Sequence, residues 1–153
     1  MSEDLAAIAR SIIDANSYLT LATGDGSGTP WATPVWFAHD GYTKFIWLSR
    51  TSTRHSVNLA SRAEVGIVVF DSTVPINQGQ AVYAEAVGEE IPATELKAAI
   101  AVYSARSVAA GGRPWQVADV VAPASFRLFS ARATALYVLD AHDSRVPVDL
   151  ARA

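Results

Sequence analysis

Cysteine is absent from the chain, which removes disulfides, thiolate metal sites and cysteine nucleophiles together. Long apolar runs are also absent, and none approaches the roughly 18 residues that a membrane-spanning helix needs. The opening segment MSEDLAAIARSIIDAN begins acidic and lacks the basic-then-apolar order of a secretion signal. The expectation is a cytoplasmic protein with no membrane association. Charge is sparse, with 18% Asp, Glu, Lys and Arg and a net charge of −3. Nucleic acid held by general electrostatics is therefore not an expected partner.

Several chemistries lack their residues. The histidines are His39, His55 and His142, none at a ligand-pairing spacing, so no metal site is expected. There is no nucleophile elbow, no P-loop and no dinucleotide fingerprint. Glu89 and Glu90 are adjacent and on a strand would point to opposite faces. No catalytic residue is assigned.

Apolar residues are plentiful. Half of the 153 residues are hydrophobic, enough for one domain over 1–153 that buries roughly 68–70% of its unfolded surface. Leu5, Ile8, Ala9, Ile12 and Ile13 recur at helical spacing, predicting a helix over 3–15 with Ser2 as a plausible N-cap and Asn16 at its exit. Strands are predicted at 17–24, 29–38 and 44–49, joined by the turns DGSG and HDGYT. A short helix, VNLASRA, then leads to AEVGIVVFD (63–71), whose nearly continuous apolar run reads as a strand buried on both faces. Residues 80–91 resume as a strand in which Gly88 suggests a bulge. Residues 93–109 have strong helix propensity and stop before Gly111-Gly112. Residues 126–140 read as one or two closing strands. Hairpin-length turns imply antiparallel pairing, and closing the sheet would remove its exposed edges. The fold class expected is therefore mainly β with flanking helices, closed or nearly closed into a barrel.

Two stretches carry candidate chemistry. PWATPVWF places Pro30 and Pro34 in one strand, where proline cannot donate to a ladder, so an edge with free backbone groups is expected. Composition favours Trp31, Trp36 and Trp47 as core filling over ligand contact. The second stretch, SRTSTRHS (49–56), packs hydroxyls, two arginines and a histidine ahead of a helix. It suits either an N-cap at Ser52 or Thr53, or an anion cradle in which Arg54 grips a phosphate.

Together, a strand ending Leu-Ala-Thr, a hairpin, Pro-x-x-x-Pro-Val-Trp-Phe, a further strand and Thr53-Arg54-His55 opening a helix resemble the FMN-binding split barrels of the pyridoxamine 5′-phosphate oxidase-like family. The resemblance implies a six-stranded antiparallel split β-barrel, a homodimer with cofactor at the interface, and FMN as that cofactor. It implies an oxidoreductase acting on a small-molecule substrate. Thr53, Arg54 and His55 would hold the phosphate, with histidine where the family has lysine. Thr33, Pro34, Val35 and Trp36 would offer backbone to the flavin ring, Leu48 and Ser49 would flank the ribityl chain, and Gln78 or Gln80 would approach from the partner chain.

Two departures follow from the same comparison. Phe37 stands where pyridoxamine phosphate oxidases carry a lysine for the substrate phosphate, and their C-terminal Arg-x-His motif has no counterpart. Relatives that use a deazaflavin coenzyme supply one alternative, for which Arg50, Arg54, Arg62 and Arg106 would form the basic groove. A non-catalytic flavin-storage or sensing protein is another. Haem is disfavoured, with His142 as its remaining ligand.

Overall fold

The structure, a computed structural model, describes residues 4–151. In chain order it contains α1 (Leu5–Ala15), β1 (Tyr18–Gly24), β2 (Pro30–Asp40), β3 (Lys44–Arg50), α2 (Arg54–Ser61), β4 (Glu64–Phe70), β5 (Ala81–Glu90), α3 (Ala93–Ala109), a 3₁₀ turn (Val117–Val120), β6 (Phe126–Leu139) and β7 (Arg145–Pro147). All strand pairs are antiparallel. Their order is β3-β2-β1-β4-β5-β6-β7, and a β3–β6 pairing closes the first six into a barrel. This is the six-stranded split barrel expected from the sequence.

Period-two patterning builds the barrel interior. Leu19, Leu21, Val35, Phe37, Phe45, Trp47, Val69 and Val138 point inward and are buried, each worth about 1.5–3 kcal/mol when fully removed from water. Helix α1 adds Ala9, Ile12 and Ile13 to the same core. Its N-cap is Asp4, whose carboxylate accepts from the amide of Ala7 at 3.1 Å; Ser2, the cap read from sequence, lies outside the described residues. Asn16 does close the helix, donating from Nδ2 to the Ile12 carbonyl at 2.8 Å.

A second core lies outside the barrel wall. There α3 sets Leu96, Ala99, Ile100 and Tyr103 against Ala38, Ile46 and Leu128. The three tryptophans therefore divide. Trp47 is interior, stacked on Phe129 at 6.1 Å, with its indole N–H buried and unpartnered. Trp36 packs under α3, and Trp31 is 40% exposed.

Two expectations are corrected. Strand β4 is buried on one face only: Val65, Ile67 and Val69 face the core, while Gly66 and Val68 on the other face are half-buried. Gly88 is not a bulge. It pairs regularly with Ala131, and the register shift falls at Glu85/Ala86, where Thr134 of β6 is the extra residue. Gly88 instead marks a close approach, since a Cβ there would come within 2.7 Å of Leu59 Cδ1 and would require that side chain to shift. Helix α2 begins at Arg54, ahead of the VNLASRA segment but where a Thr53 cap and the Thr53-Arg54-His55 opening place it, so Arg54 and His55 lie in its first turn.

Candidate functional site

Strand β2 is eleven residues long, yet it pairs with β3 only from Phe37 to Asp40. Residues 30–36 pair with β1 alone. On the other side, β3 pairs with β6 over its whole length, through Arg50↔Phe126. The two strands therefore part beyond Phe37 and Trp47, and the backbone of β2 from Pro30 to Trp36 presents a free edge at the split. The two prolines sit on this segment, as their missing N–H groups require.

The loop that leaves β3 arrives at the same split. Thr53 is the N-cap of α2, its hydroxyl accepting from the amide of Ser56 at 3.3 Å. The same oxygen lies 3.1 Å from the Arg50 carbonyl and 2.7 Å from Ser56 Oγ. His55 Nε2 is 2.7 Å from Ser49 Oγ and 3.3 Å from Thr53 Oγ1. Four side chains with polar tips thus converge, and the first-turn amides of Arg54 and His55 have no upstream helical carbonyl to bond. Burial pushes the His55 imidazole below its ordinary range, which leaves it neutral at pH 7.

Arg54 stacks its guanidinium 4.3 Å over the ring of Trp31. A guanidinium held against a ring by cation–π attraction keeps its N–H fork available to a phosphate. Arg50 instead lies 5.2 Å over Phe126. Beneath the loop, Asn58 donates to Thr23 Oγ1 at 3.0 Å in a buried contact, and Thr23 Oγ1 is 3.4 Å from the Trp31 carbonyl. This chain of contacts ties α2 to β1 and β2.

Of the residues proposed from sequence, Ser49, Thr53 and His55 meet around one point, and Arg54, next in the chain to Thr53, extends its side chain over Trp31. Thr33, Pro34, Val35 and Trp36 lie on the free edge; the Val35 side chain enters the barrel core and that of Trp36 turns outward under α3. Leu48 also faces the outer core. Gln78 and Gln80 are elsewhere in this chain, lining a cleft with Leu139, Asp140 and Asp143. Leu139 and Phe126 are opposite ends of the fourteen-residue β6, on the order of 40 Å apart along a strand. Ser56 and Trp31 were missed as site residues. Ser56 had a signal, the hydroxyl-rich run itself, whereas Trp31 is recruited only because β2 and β3 part beside it.

The composition of the site suits an anionic, planar ligand better than a metal. Among the described residues no group of three His, Asp or Glu side chains converges. The donors at the loop suit a phosphate monoester, and the β2 edge offers backbone to a heterocycle.

A family model described as pyridoxamine 5′-phosphate oxidase matches residues 5–140. No curated protein matches in sequence. Similar solved structures include a haem-binding protein from Mycobacterium smegmatis, 20% identical with a TM-score of 0.77, covering 98% of this chain and 60% of that one. The present chain thus spans about 60% of the mycobacterial protein's length. The haem storage protein HutZ from Vibrio cholerae is 21% identical with a TM-score of 0.69, over 89% of this chain and 95% of that one. An F420 reductase is 22% identical with a TM-score of 0.61, over 89% and 98%. At these identities the structural likenesses establish the fold, and the family match does the rest. The chain belongs to the pyridoxamine 5′-phosphate oxidase family.

Proposed function

We propose that this chain is an FMN-binding flavoprotein, a homodimer whose residues 1–153 act as one domain, and an oxidoreductase for a small substrate. The observation that carries this reading is the meeting of Ser49, Thr53, His55 and Ser56 at the start of α2, beside the unpaired edge of β2 on which Arg54 rests over Trp31. The loop would hold the phosphate, through Arg54 and the first-turn amides. The β2 backbone from Thr33 to Trp36 would orient the ring. Bound there, the flavin would supply hydride-level redox chemistry, while the chain's own side chains bind and orient.

Pyridoxamine phosphate is not the proposed substrate. Phe37, at the position where the oxidases carry lysine, is 1% exposed inside the barrel, so no cation reaches a substrate phosphate from that place. A single phosphate also fits better than a long anionic tail. Arg106 is engaged with the carbonyls of Asp14 and Asn16 at 3.4 and 3.3 Å, and Arg62 lies at the opposite end of α2. Arg50 and Arg54 flank the loop, whereas the Arg62 side chain lies against Gly24 at the end of β1.

The dimer reading is supported by the outer face of β1, β4, β5 and β6. Ala22, Gly66, Val68, Tyr83 and Tyr137 form an open, largely apolar depression there. Apolar surface of this kind is normally covered by a partner, and a second copy would give β4 the two-sided burial its sequence implies.

Titration of the purified protein with FMN, followed by flavin fluorescence, tests the proposal. Saturable quenching is expected, and unchanged emission overturns it. The visible spectrum after incubation with FMN, deazaflavin coenzyme or haem separates the three cofactors. Turnover of a nicotinamide donor by the loaded protein separates an oxidoreductase from a storage or sensing protein.

A further inference from the structure

A second site lies behind β2, on the side away from the barrel interior. Trp36, Tyr103 and Trp115 form a run of edge-to-face rings, with Trp36–Tyr103 at 5.4 Å and 81° and Tyr103–Trp115 at 6.1 Å and 75°. They line an open cleft of about 350 Å³ together with Ser107, Gly112 and Arg113. That volume falls at the small end of the range for small-molecule sites, about 300–1,000 Å³.

The cleft is held in shape. The amide of Trp115 donates to Ser104 Oγ at 2.8 Å, Ser107 Oγ donates to the Arg113 carbonyl at 2.7 Å, and the Gly112 amide donates to the Ser107 carbonyl at 2.7 Å. Gly112 admits this close approach because a Cβ would lie 2.6 Å from Ser107 Oγ. Fixing the 111–116 loop against α3 lowers the ordering cost of binding.

The wall is rich in donors and poor in acceptors. The indole N–H groups of Trp36 and Trp115 and the hydroxyl of Tyr103 have no hydrogen-bond partner among the described residues, and none is sealed from solvent. Arg113 lies 3.8 Å over the Trp115 ring and 3.1 Å from Asp119. The Asp119 carboxylate is already occupied by Arg113 and by the Gln116 amide at 2.9 Å. The Ser107 hydroxyl is likewise used. A cationic ligand is disfavoured, since the guanidinium of Arg113 already covers the Trp115 face.

We propose that this cleft binds a planar aromatic ligand whose ring carries carboxylate or carbonyl oxygens. Trp36 and Tyr103 supply ring contacts, while Arg113, held over Trp115, meets the oxygens together with the indole and phenol donors. The site shares only Trp36 with the flavin reading, which uses the backbone of that residue where the cleft uses its side chain, and none of its side chains belongs to the phosphate loop.

Isothermal titration of the 153-residue chain with a naphthoate, without added flavin, tests it. Saturable binding is expected, with cyclohexanecarboxylate and naphthylmethylammonium each at least about tenfold weaker. Arg113→Met and Trp115→Leu should each weaken naphthoate at least about tenfold, the loss of one charge-assisted or stacking contact, with FMN affinity unchanged. Absence of saturable heat overturns the proposal, as does an ammonium analogue that binds equally well. Should Trp115→Leu fail to fold, Arg113→Met decides alone: wild-type affinity in that variant overturns the assignment.

Discussion

Ser49 Oγ and His55 Nε2 are 2.7 Å apart, which joins the next-to-last residue of β3 to the first turn of α2. The contact links a barrel strand to the loop proposed to hold phosphate. Burial keeps His55 below its usual imidazole range, so the unfolded chain binds a proton more readily than the folded one. The free protein should therefore keep this contribution to stability above about pH 6.5, the ordinary histidine value, and lose it as pH falls through the lowered folded value. His55→Gln should flatten that segment of a denaturation-versus-pH profile. A bound phosphate acts in the opposite sense, since a neighbouring anion favours the charged imidazole. FMN affinity should rise as pH falls towards 6, and His55→Gln should remove the rise.

Arg54→Ala should weaken FMN binding by about 1.5–3 kcal/mol, the range for a hydrogen bond to a charged group. Arg54→Lys should recover part of the loss, since lysine keeps the charge without the planar fork. Trp31→Leu removes the ring on which the guanidinium rests and should produce a smaller loss. A fluorescence titration of the three variants reads the order; equal affinity of Arg54→Ala and wild type would remove Arg54 from the site.

Gly88 is a test of how the loop is supported. The 2.7 Å approach to Leu59 Cδ1 and 3.4 Å to the Ser130 carbonyl leave no room for a branched side chain. Gly88→Val should destabilise by about 1–3 kcal/mol, as overpacking does, read as a lower midpoint in urea. Because Leu59 belongs to α2, the displaced helix should also carry the loop with it and reduce FMN affinity. A stability loss with unchanged affinity would show that α2 is not coupled to the site.

Val68 lies on the outer face proposed for the dimer. Val68→Glu should convert a dimer to a monomer in sedimentation velocity, because a buried unpaired carboxylate is costly to cover. A wild-type chain that sediments as a monomer at all concentrations would refute the dimer, and a dimeric Val68→Glu would move the interface elsewhere.

How far the sequence reaches can be judged from particular residues. Alternation in YLTLATG and KFIWLS reports directly which side chains face a core, because the pleat has period two. The long α3 is legible from propensity and from the glycines beyond it. The continuous run EVGIVVF is a different case: it suggests burial on both faces, yet among the described residues only the Val65, Ile67 and Val69 face is buried, and Gly66 and Val68 are half-covered. Gly88 fits either a bulge or a close approach, and the choice depends on Leu59, brought there by tertiary packing. The bulge at Thr134 has no marker in its neighbourhood. At the site, the hydroxyl run advertises its chemistry, while the pairing of Arg54 with Trp31 arises from where two strands separate and is invisible to local pattern.

Strand β6 pairs with β5 along one edge, and with β3 and then β7 along the other. It is the last of the six barrel strands in the chain, and its contacts with β3 join segments far apart in sequence. Until residue 132 has emerged from the ribosome, β3 and β5 both present open edges, the surfaces most prone to pair with a stranger. Closure of this barrel thus waits on the last of its six strands to be made, and a message truncated before Phe126 encodes a sheet that has no means of shutting.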